Sequence, residues 1–247
     1  SRSELLAAAG VLGGYWFAGA GRGKAAVACF GAGLLAKESA IVLPVLLAWR
    51  DHLQDRLDRR ALRRYLPYVA VALAFLLVVS RSLGRAVVSA PVRSYGEQVG
   101  TQLKALVYYL GLLAVPVRQS VHHAFSESPP WAWVALASLL AVVSLAVYLR
   151  RTPGFALGLG FALIALAPTS LVPLNILVNE HRLYLPMAGW LIWITGLACA
   201  PLPRWRGYWL VLPALLAALA ITRNQVWREE YPLWEDAAAK APNEVRP

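Results

Sequence analysis

Charged residues are scarce in this chain of 247 residues: 15% are charged, with 13 acidic residues against 24 lysines and arginines. Soluble domains are about a quarter charged and about half apolar, whereas 59% of this chain is hydrophobic and its mean hydropathy is +0.54. So much apolar surface cannot be buried in one soluble core. The composition therefore excludes a soluble enzyme, a disordered chain and a collagen-like chain, and it predicts a polytopic membrane protein.

Cysteine is also scarce, and the common catalytic and metal-binding motifs do not occur. Cys29 and Cys199 both lie in apolar runs, which is typical of small core residues and argues against a disulfide framework. The sequence has no CxxC, HExxH, P-loop or GxSxG motif. No motif therefore indicates metal binding, redox chemistry or a soluble hydrolase. We expect no divalent metal and no certain cofactor, and we expect no nucleic-acid partner because the cations lie between apolar runs.

The hydrophobic residues are grouped in eight apolar runs. Trp and Tyr cluster at the ends of these runs, as an interfacial belt requires. Because lipid admits only helices or closed barrels, and because the runs lack the alternation of a barrel, we expect an all-α transmembrane bundle of about seven to nine membrane helices. The runs cover residues 5–17, 25–49, 65–80, 103–117, 131–149, 155–177, 183–200 and 208–221, and the sixth run is predicted to be broken by Pro168 and Pro173.

The chain divides into a membrane core and a polar tail. Residues 1–222 are expected to form the transmembrane core, and residues 223–247 a juxtamembrane amphipathic helix. The chain opens with Ser1 and shows neither an initiator Met nor a signal-peptide layout. We therefore expect the core to lack an N-terminal part.

The basic loops predict a reversal inside the second run. Residues 50–64 hold six arginines and three aspartates, and the positive-inside rule places them in the cytoplasm with the other basic pairs. If each apolar run crossed the membrane once, residues 50–64 would instead lie on the opposite side of the membrane from the other basic pairs. We therefore predict a break or reversal within a few residues of Lys37, with a compensating irregularity near residues 115–117. The other basic pairs are Arg22/Lys24, Arg150/Arg151 and Arg204/Arg206.

Lys37 and Glu38 form the first candidate site. Ionisable residues inside apolar runs are costly and need a reason. Small residues precede this pair and Pro44 follows it, so the backbone can approach closely on one side and the helix is disturbed on the other. The pattern favours a membrane-embedded polar site or a helix break at the surface. The alternative is an adjacent ion pair that neutralises itself or extends to the interface.

Glu180, His181, Arg182 and Tyr184 form the second candidate site, at the boundary between two apolar runs. Arg182 could hold a phosphate with its planar guanidinium, and Glu180 could orient Arg182 or accept a hydrogen bond from a sugar hydroxyl. His181 could carry a proton or donate to phosphate, and Tyr184 offers a ring and a hydroxyl. The alternative is an ordinary charged loop with an anchoring tyrosine.

Three further residues are candidates for a cavity near these sites: Arg93, His122 and His123. Adjacent histidines point in different directions and rarely share a metal, so a metal site is not predicted here. The alternative is that the histidines are solvated and that Arg93 contacts lipid headgroups. A transferase also needs a carboxylate as base on its acceptor, and no Asp-x-Asp or Asp-Glu pair lies on an early loop.

Six short motifs, taken in order, resemble a known family across nearly the whole chain. The set is similar to the GT-C glycosyltransferases, and in particular to the membrane part of the transmembrane and tetratricopeptide-repeat proteins, an O-mannosyltransferase-like group. The strongest matches are Pro168–Pro173, Glu180–Pro186 and the Trp227 to Trp234 segment. The other segments are residues 1–6, 33–44 and 108–116.

The resemblance implies a multi-pass protein of the bacterial inner membrane that transfers a sugar, with mannose as the candidate, from a polyprenyl-phosphate donor to a protein or glycan acceptor. The active site would be exoplasmic, with Lys37 and Arg182 holding the donor phosphate. In the family an acidic catalytic loop precedes the Ser-Arg-x-Glu segment and tetratricopeptide repeats follow the last helix, so the catalytic base is expected outside this chain. Membrane lipid is a further expected partner.

Two other functions remain open from sequence. A non-catalytic membrane binding or assembly protein would fit a chain without the acidic loop. A transporter of lipid-linked sugar would also fit a polytopic bundle, although no inverted repeat supports it. An acidic exoplasmic loop encoded upstream of Ser1 would favour the enzyme.

Overall fold

All regular structure in the described part of the chain is helical. The computed structural model describes residues 2–88, 95–114, 120, 136, 137, 140, 153–171, 178–198 and 211–240. Two short 3₁₀ helices lie in these ranges, at Glu38–Val42 and Glu180–Leu183. The α-helices with both ends described are α1 (Arg2–Gly19), α2 (Gly23–Ala36), α3 (Leu43–Leu53), α4 (Arg59–Val88), α5 (Tyr95–Ala114), α6 (Pro153–Leu171), α7 (Tyr184–Ala198), α8 (Val211–Val226) and α9 (Glu230–Lys240).

The predicted all-α class is confirmed, and most apolar runs coincide with helices. The helices are often longer than the runs, because α4 and α5 begin in polar segments that hydropathy alone does not assign to a helix. The predicted break at Pro168 is wrong, since α6 continues through it to Leu171. Pro168 has no N–H and leaves the Ile164 carbonyl without its helical donor, but the loss of this one bond does not end the helix. Pro173 lies outside the described residues. The run at 131–149 and the predicted irregularity at 115–117 lie almost entirely outside the described residues.

The predicted reversal at Lys37 is present. The helix α2 ends at Ala36, and Lys37 has an extended backbone with φ −164° and ψ 144°. The 3₁₀ helix Glu38–Val42 and α3 then run in the reverse direction. As a result, Arg50 Nη1 lies 3.4 Å from the carbonyl oxygen of Tyr15, near the C-terminal end of α1. Residues 25–49 therefore run to Lys37 and return, as the positive-inside argument required.

Two helix hairpins hold the bundle together through close contacts between small residues. A Cβ atom added to Gly10 of α1 would lie 2.7 Å from Gly33 Cα of α2. One added to Gly158 of α6 would lie 2.5 Å from the carbonyl oxygen of Gly189 of α7. Small residues at helix crossings let backbones approach closely, which is typical of membrane helices.

The hairpins define two ends of the bundle. The turn end carries Lys37 and the Glu180–Leu183 3₁₀ helix. The basic end carries the turn between α1 and α2 and the last turn of α3. The helix α6 joins the two ends, because Trp49 Nε1 donates to the Ala156 carbonyl at 3.1 Å, while Leu166 is buried beside Leu183.

A single described helix segment, Leu62–Ser80 within α4, is long and apolar enough to cross a membrane. Two shorter apolar helices, Gly23–Ala36 and Gly154–Pro168, fall below that length. The α4 segment is 6% buried, and its apolar side chains, such as Leu77 at 75% exposed, face away from the rest of the protein. Exposed apolar surface of this extent marks a membrane or partner contact.

Candidate functional site

The turn end is organised around a buried carboxylate. Glu4 lies in the first turn of α1 and is 7% exposed. The ammonium group of Lys37 donates to Glu4 Oε1, and the Ser39 hydroxyl lies 3.4 Å from Glu4 Oε2. The start of a helix also favours a negative charge. The break after α2 therefore places Lys37 where α1 supplies its counter-ion.

The partner of Lys37 differs from the one considered from sequence. The adjacent pair Lys37-Glu38 does not neutralise itself, because Lys37 pairs with Glu4 from another helix. Glu38 begins the 3₁₀ helix and is exposed. The extended conformation of Lys37 separates the directions of the two neighbouring side chains.

Asn179 and Tyr109 fix the second 3₁₀ helix. Asn179 Oδ1 accepts a hydrogen bond from the His181 backbone N–H at 3.0 Å, as an N-cap residue does. The Asn179 backbone N–H donates to the Tyr109 hydroxyl at 2.9 Å. Tyr109 is 1% exposed, and its hydroxyl also lies 3.5 Å from Arg182 Nη1. One buried phenol thus positions both the start of the turn and the Arg182 guanidinium.

Glu180 and Tyr184 complete this turn. Glu180 Oε1 accepts a hydrogen bond from the Ser120 backbone N–H at 2.6 Å. The rings of His181 and Tyr184 stack, with centroids 6.1 Å apart and planes 10° apart. Tyr184 is exposed at 40%, so one face of the pair remains accessible.

His181 links the two candidate sites. Burial is the main cause that lowers the pKa of His181 below its usual 6.5; among the charges of the two candidate sites, Glu4 and Glu180 act to raise it, and Lys37, the weakest of the three, acts to lower it. Charges from both candidate sites therefore act on one imidazole, although the two sites are far apart in sequence. The lowered pKa makes the neutral imidazole the dominant form near pH 7, which can accept one proton.

The structure thus brings five predicted residues to one end of the bundle: Lys37, Glu180, His181, Arg182 and Tyr184. Glu38 lies next to them but is exposed. The other candidates, Arg93, His122 and His123, lie outside the described residues.

Sequence reasoning missed two residues of the site. The pairing of Glu4 with Lys37 could not be predicted, because it requires the tertiary contact between α1 and the break after α2. Tyr109 lies in an apolar helix, where a tyrosine is usually a core or interfacial residue. Its hydroxyl becomes informative only because Asn179 and Arg182 lie beside it.

The arrangement offers two cations, one neutral imidazole and several hydroxyls around a polar turn. Such a set can bind an anion such as a phosphate. Among the described residues, no group of three or more His, Cys, Asp or Glu could hold a metal ion. No protein-family model, no curated protein and no solved structure matches this chain.

Proposed function

We propose that the chain is the membrane core of a GT-C-like glycosyltransferase. It transfers a sugar, with mannose as the candidate, from a polyprenyl-phosphate donor to a protein or glycan acceptor. The observation that supports this proposal is that two cations are held in place at the turn end, Lys37 by Glu4 and Arg182 beside the buried Tyr109 hydroxyl. These two cations are the residues that the family resemblance assigns to the donor.

Arg182 is the proposed anchor of the donor phosphate. Its guanidinium is held near the buried Tyr109 hydroxyl, so its planar fork is oriented before the donor binds. A guanidinium can contact two phosphate oxygens at once, which an ammonium cannot do. As the sugar leaves, negative charge grows on the polyprenyl phosphate, and an oriented cation stabilises that charge.

Lys37 is the proposed second cation. Its pairing with Glu4 holds the ammonium at the break between α2 and the 3₁₀ helix. The ammonium has three donors, so it can donate to a phosphate oxygen while it keeps one bond to Glu4. His181 and Tyr184 form a stacked pair at the same end of the bundle, suited to contact with the sugar.

The base that activates the acceptor hydroxyl is proposed to lie on an acidic exoplasmic loop, as in the family that the sequence resembles. Two carboxylates at the turn end are already engaged: Glu4 accepts from Lys37 and Glu180 from the Ser120 amide. Their role in this proposal is to hold the cations and the turn in place.

The proposed setting is a multi-pass protein of the bacterial inner membrane. The basic end would face the cytoplasm and the turn end would face the exoplasm, consistent with the positive-inside rule. The exposed apolar face of α4 supports contact with lipid. The shorter apolar helices α2 and α6 would cross as parts of the two hairpins.

The test is the substitution Arg182→Lys, which keeps the charge but removes the planar contact. Transfer from a polyprenyl-phosphate sugar should fall by about ten-fold to a hundred-fold, the worth of about 1.5–3 kcal/mol for a charged hydrogen bond. Activity is measured in membranes that carry each variant of the full-length protein at matched protein level. Arg59→Lys, at an exposed position of the basic end, is the control and should retain activity. Wild-type activity in Arg182→Lys would overturn the role of Arg182.

A further inference from the structure

A groove opens at the basic end, away from the candidate active site. It has a volume of about 660 Å³ and lies between α2, α3 and the start of α4. Its lining combines apolar residues with cations. The residues that line it are Ala18, Gly21, Gly23, Lys24, Val27, Leu47, Arg50, Asp51, Arg64, Tyr65, Pro67 and Tyr68.

The walls of the groove are mainly apolar. Val27 of α2, Leu47 of α3 and Tyr68 of α4 line three sides of it, and Leu47 and Tyr68 are buried. A Cβ atom added to Gly23 would meet no heavy atom within 4 Å, so space remains at the start of α2. The groove continues onto the exposed apolar segment Leu62–Ser80, so an acyl chain could extend from it along α4.

The charge of the groove is positive. Lys24 and Arg64 are exposed lining residues. Arg50 is balanced by the buried Asp51, with 3.2 Å between Arg50 Nη2 and Asp51 Oδ1. Asp51 also accepts a hydrogen bond from the Tyr65 hydroxyl at 2.7 Å. The lining therefore contains one carboxylate, Asp51, and three cations. The excess positive charge lies on Lys24 and Arg64.

We propose that this groove binds one anionic phospholipid, with the headgroup phosphate between Lys24 and Arg64 and an acyl chain against Val27 and Leu47. Basic pockets between membrane helices select anionic headgroups by charge, and the apolar walls require a ligand with a hydrocarbon part. The inference needs only that α4 contacts lipid, and it does not depend on glycosyl transfer.

The test is native mass spectrometry of the full chain, purified in detergent and titrated with phosphatidylglycerol or phosphatidylcholine. Removal of both exposed cations, in Lys24→Gln/Arg64→Gln, should weaken phosphatidylglycerol binding by about five-fold per charge, or about 25-fold together. Phosphatidylcholine binding should change little. The matched control Arg56→Gln/Arg59→Gln removes two exposed charges from the same region, outside the groove lining. It should stay within about two-fold of wild type, because these two exposed side chains do not line the groove and salt weakens their remaining interaction with the headgroup.

Two further measurements distinguish lipid binding in the groove from binding by general surface charge and from binding of phosphate alone. Gly23→Leu fills the open space without changing charge and should lower phosphatidylglycerol binding by about ten-fold, the loss of one well-buried apolar contact. Glycerol phosphate, which has the same headgroup chemistry without acyl chains, should not displace the lipid. Equal loss in both double variants, unchanged binding in Gly23→Leu, or displacement by glycerol phosphate would each overturn the proposal.

Discussion

Each end of the bundle contains a buried carboxylate paired with a cation, yet the two pairs are built differently. At the turn end, Glu4 from α1 pairs with Lys37 at a break in the chain. At the basic end, Asp51 pairs with its neighbour Arg50 inside α3, and α4 adds the Tyr65 hydroxyl. The first pair joins distant segments at an irregular backbone, whereas the second stays within one helix and receives one added hydrogen bond.

This difference separates the proposed functions of the two ends. At the turn end, the pairing holds the Lys37 ammonium at the break between α2 and the 3₁₀ helix. At the basic end, the pairing neutralises Arg50 and leaves the exposed Lys24 and Arg64 as the cations of the groove. A carboxylate–cation pair therefore holds Lys37 in position at the turn end, whereas at the basic end it neutralises the charge of Arg50.

The largest effect is expected from Glu4→Gln, which removes the counter-ion of Lys37. Breaking a buried pair costs about 3–5 kcal/mol. Because the Lys37 side chain is 28% exposed, we expect a loss of about 2–4 kcal/mol in the free energy of unfolding. Unfolding in micelles by steric trapping measures it.

Glu38→Gln is the matched control for that prediction. It removes the same charge from an exposed neighbour of Lys37, and it should change stability by less than about 0.5 kcal/mol. The double change Glu4→Gln/Lys37→Met should recover part of the loss, because it leaves no unpaired charge. Equal effects of Glu4→Gln and Glu38→Gln would contradict the asymmetry described for this pair.

The next largest effect is expected from Gly158→Ala in α6, the helix that joins the two ends of the bundle. Gly158→Ala places a Cβ atom 2.5 Å from the Gly189 carbonyl oxygen and 2.5 Å from the Trp193 amide nitrogen. Because both contacts are backbone, α6 and α7 must separate, at a cost of about 1–3 kcal/mol. Gly111→Ala, where a Cβ atom meets nothing within 4 Å, should be neutral or slightly stabilising. Thermal unfolding of both variants decides the question, and similar melting temperatures would count against the close crossing.

Two tyrosine substitutions compare the ends directly. Tyr109→Phe leaves the Asn179 amide without its acceptor, and Tyr65→Phe removes a donor from Asp51. Each should cost about 1–2 kcal/mol of stability. Sugar transfer, measured at matched folded protein, should fall only in Tyr109→Phe, because Arg182 loses its neighbouring hydroxyl. A comparable fall in both variants would mean that transfer follows stability alone.

The smallest effect concerns the tail. Asp236 of α9 accepts hydrogen bonds from Arg223 of α8 at 2.7 Å and from Lys240 at 2.9 Å. Burial acts to raise its pKa, but the bonds from Lys240 and Arg223 lower it below its usual 3.8. The pairing therefore contributes stability above the unfolded carboxyl pKa and loses it as pH falls through the lower, folded pKa.

That contribution should be about 1 kcal/mol or less, since the Asp236 side chain is partly exposed, at 23%, and its pairs lie near the surface. A spin-label distance between α8 and α9, followed from neutral to acidic pH, measures it. Asp236→Asn should remove the pH dependence, while Glu235→Gln, at an exposed neighbour, should preserve it. A pH dependence that survives in Asp236→Asn would assign the change to another group.

Much of the helical architecture could be predicted, because apolar runs and turn residues are local signals. The reversal at Lys37 was predicted from a charged pair inside an apolar run and from the six arginines after it. The pairing partners could not be predicted, since Glu4–Lys37 and Tyr109–Asn179 contacts depend on how distant helices approach. The groove at the basic end requires three helices at once, so no single segment indicates it.

The most direct test of the account asks whether the break at Lys37 places the two ends in different compartments. Single cysteines at Glu38 and Gln54, both exposed, are introduced after Cys29 and Cys199 are replaced by alanine. A membrane-impermeant maleimide is then added to intact cells and to permeabilised cells. If the turn end is exoplasmic and the basic end cytoplasmic, we expect labelling of Glu38→Cys in intact cells and of Gln54→Cys only after permeabilisation. Labelling of Gln54→Cys from outside intact cells would contradict it.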